Sequence, residues 1–208
     1  MYGEEATTLI LMLTWSINND LVGALVKGDA EELARRGIKT VVLYPSNVDH
    51  TFQVKGVTYC PVAITIRTNT NIVTNIVTAL ADFVRAISNL IHEAYDQRSF
   101  KAIYSYEWMG GLVGSFIKKY LNKPLITSIC SIESMRSSEK SLLNLSIRGL
   151  EQRVLHQSDL VIARNITVIM RLLGEYEIPS DRTRLAMNAI NAVDIIEEVI
   201  KADESINA

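Results

Sequence analysis

At 208 residues with 48% hydrophobic side chains, the chain suits one large domain with a core packed on two sides, and a second full domain does not fit. The formal net charge of −2 gives no basic footprint for nucleic acid, which is therefore excluded as an expected partner. The two cysteines, Cys60 and Cys130, lie far apart and in no CxxC or Cys/His spacing, so no metal site and no disulfide framework are expected. The longest early apolar run, Leu9 to Leu13, is too short for a membrane span and lacks the preceding basic residues of a signal peptide. A reduced, cytoplasmic chain away from membranes is expected.

In chain order, Ala6 to Leu13 has the unbroken apolar pattern of a strand buried on both faces. A polar loop, Thr14 to Asn19, follows, with Asn19 or Asp20 placed to cap a helix that runs to about Arg36 and ends at Gly37. Ile38 to Tyr44 reads as the second strand, and Gln53 to Tyr59 with Ala63 to Ile66 as two short β runs around Pro61. From about Thr70 to Tyr95, Ile72, Val73, Ile76, Leu80, Phe83, Val84, Ile87 and Ile91 recur at helical spacing.

The organising stretch is Lys101 to Glu133. Ala102 to Tyr106 is a strand ending at Glu107-Trp108, Met109 to Tyr120 is a crossing helix broken by Asn122-Lys123-Pro124, and Leu125 to Cys130 is the next strand. In such a βαβ unit the carboxyl ends of the strands open onto the ligand crevice of a parallel sheet. Tyr106, Glu107, Trp108, Gly110, Cys130 and Glu133 are therefore the candidate substrate-binding residues on one rim. Each has a structural role open to it as well. Trp108 can cap the core, Glu107 a helix end, Gly110 can serve close packing, and Cys130 can be a small buried hydrophobe without a basic neighbour to activate it.

Beyond this unit, a polar loop, Ser131 to Ser138, leads to a helix at Ser141 to Gln157, a strand at Leu160 to Ala163 and a helix at Ile166 to Leu173. Thr183 to Met187 reads as a last strand, and Asp194-x-x-Glu197 as a capping box opening a final helix. Strands alternating with helices imply an α/β fold, a doubly wound parallel sheet of six or seven strands with helices on both faces. Its domain is expected over residues 1–193, with a helix over 194–208.

Several segments, in order, resemble the retaining glycosyltransferases of the glycogen and starch synthase type. DLVGALVKGDAEELARRGIKTVVLYP is similar to the family's opening helix and second strand, and Tyr104 to Trp108 to its His-x-His-Asp-Trp segment. Lys123 to Glu133 is similar to its Lys-Pro strand ending in Thr-x-His-Ser-x-Glu, and IPSDRTRLAMNAINAVD to its interdomain junction. The resemblance implies a Rossmann-like, acceptor-side half of a glycosyltransferase-B architecture. It also implies a nucleotide-sugar co-substrate, no other cofactor or metal, a glycan or other hydroxyl acceptor, and a partner carboxyl-terminal Rossmann-like domain.

The departures matter too. Asn18-Asn19 stand where the family has a glycine pair for donor phosphate, so that loop is expected to be degenerate. Tyr104 and Tyr106 replace histidines, Cys130 replaces a histidine, Ala192 a glycine, and Arg164 a small serine. The function implied is hexose transfer from a nucleotide-sugar, with the isolated chain inactive. The alternatives are a non-catalytic sugar-binding or scaffold domain, or an unrelated doubly wound small-ligand binder.

Overall fold

The computed structural model describes residues 8–48 and 50–207, so Ala6 and Thr7 of the expected first strand lie outside it. Eight strands form one sheet: β1 (Leu9–Leu13), β2 (Lys39–Pro45), β3 (Phe52–Val54), β4 (Val57–Val62), β5 (Phe100–Tyr106), β6 (Leu125–Ile129), β7 (Leu160–Ala163) and β8 (Thr183–Leu185). Their spatial order is β3-β4-β2-β1-β5-β6-β7-β8, parallel throughout except for β3 against β4. The strand count exceeds the expected six or seven because residues 52–62 make a tight hairpin. Its two turn residues, Lys55 (φ 51°) and Gly56 (φ 80°), both take the left-handed conformation that such turns need. Ala63 to Ile66, expected as a strand, is not one. Pro61 sits inside β4, which is tolerated because β3 pairs only Val57 to Tyr59 and leaves the rest of β4 as an edge.

Among the described residues the α-helices are α1 (Leu21–Arg35), α2 (Ile72–Glu93), α3 (Glu107–Leu121), α4 (Glu133–Arg136), α5 (Leu142–Gln157), α6 (Ile166–Gly174) and α7 (Ala189–Asn207). The central strands are apolar on both sides because both sides are covered. Ile10, Met12, Tyr104, Ile126 and Ile162 pack beneath α1 and α7, while Leu9, Leu11, Leu13, Ile103 and Leu125 pack beneath α2 and α3. A third cluster joins the far side of β7, through Val161 and Ala163, to α5 and α6.

α7 does not open at the Asp194 box. It opens at Ala189, where the Asn188 side chain accepts from the amide of Asn191 at 2.9 Å, and Asp194 instead pairs with Arg36 at 2.7 Å. Ala192, Val193 and Ile196 are wholly buried against the α1 side of the sheet, so this helix completes the second face. No helix among the described residues is long and apolar enough to cross a membrane.

Candidate functional site

From β1 the sheet grows one way through β2 and β4 and the other way through β5, so the chain order reverses between β1 and β5. The crevice outside the carboxyl ends of those two strands is where open α/β sheets take ligands. Two chain segments shape it here, the loop after β1 and the junction of β5 with α3.

The loop after β1 is held by its own side chains. Ser16 Oγ donates to Asp20 at 2.6 Å and accepts from the Asn18 amide at 3.1 Å, and Asp20 Oδ1 accepts from the Gly23 amide at 2.7 Å. The Gly23 amide, with the Ser16 hydroxyl, holds the Asp20 carboxyl below its ordinary value. Asn18 and Asn19 are exposed, and neither takes the left-handed backbone of a phosphate nest. An anion approaching the first turn of α1 meets a carboxylate already seated there.

At the other wall, Gly110 lies against β1. A Cβ there would stand 2.4 Å from the Leu13 carbonyl oxygen, so close helix-to-strand packing accounts for the glycine. α3 begins at Glu107, two residues earlier than its periodicity suggests, with Glu107 itself at φ 56°. A bulky, buried residue in this conformation is strained, on the order of 1–3 kcal/mol, and such strain concentrates at functional sites. Trp108 then turns inward. It is 4% exposed and packs with Ile76, Leu112, Ile147 and Val154, so of the two roles open to it the structure shows the cap on the core and no face open to a ligand. The physical reason is that α3 lies between α2 and α5 and is apolar nearly all round.

Glu107, Cys130 and Glu133 do come together, through a residue that the sequence reading passed over inside its polar loop. The Cys130 amide donates to Glu107 Oε1 at 2.7 Å. The Arg136 guanidinium lies 3.6 Å from Glu107 Oε2, donates through Nε to Glu133 Oε2 at 3.1 Å, and donates to Glu151 through Nη2. Glu151 also accepts from the Glu133 amide at 2.9 Å and from the Tyr176 hydroxyl at 2.6 Å. The i,i+3 spacing of Glu133 and Arg136 in ESMR was the available signal for this hub. Glu107 and Glu133 are 4% and 6% exposed, so neither candidate carboxylate stands open to the crevice: Arg136 covers them. Burial raises both Glu107 and Glu151 above the ordinary glutamate range, against the pull of Arg136. Burial, with Glu107 beside it, also pushes the Cys130 thiol up, opposite to what a nucleophile needs.

Tyr106 does not join this group. Strand alternation sends it to the other face with Tyr104, where both hydroxyls donate to Asp29 Oδ2, at 2.6 and 2.7 Å. Arg164 donates to the same carboxylate through both terminal nitrogens, at 2.9 and 3.2 Å. Three positions that look like scattered losses in sequence, Tyr104, Tyr106 and Arg164, are thus one closed network around a buried aspartate of α1.

No group of three or more His, Cys, Asp or Glu residues among the described residues is arranged to hold a metal ion. No protein-family model matches the sequence, and no curated protein matches it. Solved structures do match in fold. Sucrose-phosphate synthase from Thermosynechococcus elongatus superposes with a TM-score of 0.68 at 16% identity, covering 86% of this chain and 47% of that one. A second structure of that synthase is covered over 99% of its length and 94% of this chain, with a TM-score of 0.66. The Anabaena HepE protein in complex with UDP and glucose gives 0.56 at 15% identity, covering 86% and 43%. The catalytic domain of Arabidopsis thaliana starch synthase IV, bound to ADP and acarbose, gives 0.56 at 10% identity, covering 88% and 51%. The chain spans about half the length of these three proteins' longer structures and has the Rossmann-like fold of one half of a glycosyltransferase-B enzyme.

Proposed function

We propose that this chain is the acceptor-side half of a metal-independent, retaining glycosyltransferase, moving a hexose from a nucleotide-sugar to a glycan or other hydroxyl acceptor in the cytoplasm. The observation that supports this most is the likeness of nearly the whole chain to about half of several nucleotide- and sugar-binding enzymes. In this reading Arg136 faces the acceptor, with Glu107, Gly110, Cys130 and Glu133 buried behind it at the rim. Trp108 anchors the start of α3 from the core, Tyr106 ties the end of β5 to Asp29 on the other face, and the Asn18-Asn19 loop contributes little to donor phosphate. Binding in the crevice would recruit Glu107 by drawing Arg136 aside, exposing a strained carboxylate able to accept hydroxyl hydrogen bonds. Transfer needs charge stabilisation and positioning from both walls of a cleft, so the chain alone binds without turnover.

The test pairs binding with transfer on the purified 208-residue chain. Saturation-transfer NMR with a malto-oligosaccharide should show contact at the rim, weakened in Glu107→Ala without loss of the folded circular-dichroism spectrum. A labelled UDP- or ADP-glucose assay should show no product. Turnover by the wild-type chain would refute the half-enzyme reading, and absence of any glycan contact would refute the acceptor-side assignment. A second reading, a sugar-binding domain without catalysis, is favoured by Asp20 seated on the α1 amides. Glycan contact indifferent to UDP and ADP would mark it.

A further inference from the structure

α2 has two apolar sides, and only one of them is covered. Ile76, Ala79, Phe83 and Ile87 face the sheet and are buried. On the outer side, Thr74, Val77, Ala81, Val84, Ser88 and Ile91 recur at alternating steps of three and four residues, and the first four of them are exposed. α2 holds no ionisable side chain before Asp82, and beyond it only Arg85, His92 and Glu93. The outer side of α7, in contrast, shows Asp194, Glu198, Lys201 and Glu204 to solvent. A helix that faces water carries charge as α7 does, whereas one apolar on both sides is built to be covered on both. Phe116 of α3 is exposed beside the stripe, and between them runs an apolar groove of about 540 Å³.

Which second helix fits is set by the order of side chains along the stripe. Turned end for end about the midpoint of Ala81 and Val84, α2 meets a copy of itself with a larger residue against a smaller one in every layer: Val84 on Ala81, Val77 on Ser88, Ile91 on Thr74. Facing layers of that kind interdigitate without voids or clashes. The same rotation sets Arg85 of one copy within two residues, about 3 Å along the axis, of Asp82 of the other. In the single chain Arg85 donates to Asp82 at 2.9 Å at the edge of the stripe, so the face is complementary in charge to itself. A lipid surface is not matched, because interfacial helices carry several lysines and arginines beside their apolar side and α2 has Arg85 alone.

We infer that α2 is the contact of a two-fold dimer, in which a second copy of this chain lies antiparallel across it and Phe116 of each copy closes the flank beside Leu80. α2 returns against the direction of the parallel strands on either side of it in the chain, so the two sheets run oppositely and the two rims open at opposite ends of the dimer. The contact shares no residue with the rim and does not depend on the glycosyl-transfer reading.

Sedimentation equilibrium of the full chain, from low to high micromolar concentration, should show a reversible step from monomer to dimer. Val84→Asp places a carboxylate in both central layers and should raise the dissociation constant about a hundredfold. Arg85→Asp sets acid against acid at both symmetric positions and Asp82→Arg sets base against base, so each should raise it about tenfold. An equimolar mixture of these two charge variants should dimerise as the wild type does, because each copy then meets the opposite charge on the other. All three substitutions lie on the outer side of α2, so the melting temperature of the dilute monomer should stay close to that of the wild type. A chain that remains monomeric throughout, or a dimer that none of the three substitutions weakens, would overturn the proposal. So would charge variants that fail to recover in mixture, since recovery is specific to antiparallel pairing of α2. Monomeric behaviour together with flotation on phosphatidylglycerol vesicles that Val84→Asp abolishes would assign the face to lipid and equally overturn it.

Discussion

Two polar clusters sit at the carboxyl end of the same sheet, on opposite faces, and they are built on opposite principles. Under α1, one carboxylate meets one guanidinium and two phenols, and the pair is sealed, with the Asp29 and Arg164 side chains 0% and 2% exposed. Beside α5, three carboxylates, Glu107, Glu133 and Glu151, share the single guanidinium of Arg136, whose side chain is 35% exposed. The first arrangement balances its charge and has nowhere to go. The second is short of positive charge, opens to solvent, and includes a strained backbone at Glu107. A sealed, charge-balanced polar core fixes how α1 sits on the sheet, whereas an under-compensated one at a rim can change partners when a ligand offers better ones.

The largest expected effect breaks the sealed cluster. Arg164→Met should cost about 3–5 kcal/mol in urea unfolding, because it strands a buried carboxylate. Arg136→Met should cost less, about 1–3 kcal/mol, because losing this part-exposed side chain opens the carboxylates beneath it to water, where they can ionise or protonate freely. Equal or reversed costs would erase the distinction between the clusters. Smaller changes sharpen it. Tyr106→Phe and Tyr176→Phe each remove one hydroxyl from a carboxylate and should lower stability by roughly 1–2 kcal/mol by the same measurement, Tyr106→Phe by more because Asp29 is the deeper group.

The smallest expected effect is carried by pH. Glu107 has its folded pKa raised from an ordinary 4.5, so its favourable share of stability is present in full below about pH 4.5 and is lost as pH rises through the raised value. Glu107→Gln does not titrate. Thermal midpoints of the two proteins across this window should therefore show the variant gaining on the wild type as pH rises. A difference that stays flat, or runs the other way, would mean that Arg136 compensates Glu107 in full.

Much of the fold was legible because central parallel strands announce themselves as apolar runs. Leu9 to Leu13 and Leu160 to Ala163 read correctly for that reason, and both are buried along their length. The hairpin at Lys55-Gly56 was missed because lysine is an unusual residue for a left-handed turn position, and Pro61 suggested a break where an edge tolerates it. At the site, sequence placed Glu107, Cys130 and Glu133 near one another, since a single crossover joins their strands. It could not show that Trp108 faces inward, because that depends on which helices flank α3. Asp29 and Arg164 lie 135 positions apart, and periodicity says nothing about such a pairing. The available hint was that Tyr104, Tyr106 and Arg164 depart together from one pattern.

α7 carries one practical consequence. Its last turns are tied by Glu204 to Lys101 and by Asp203 to Lys123, residues at the amino ends of β5 and β6. The seven residues of β5 span roughly 23 Å at the usual rise, and the rim lies at their far end. A surface tether or fluorophore attached after residue 207 is thus delivered to the pole opposite Glu107 and Arg136. A chain immobilised there presents the Glu107–Arg136 end of the sheet outward, unobstructed by the attachment.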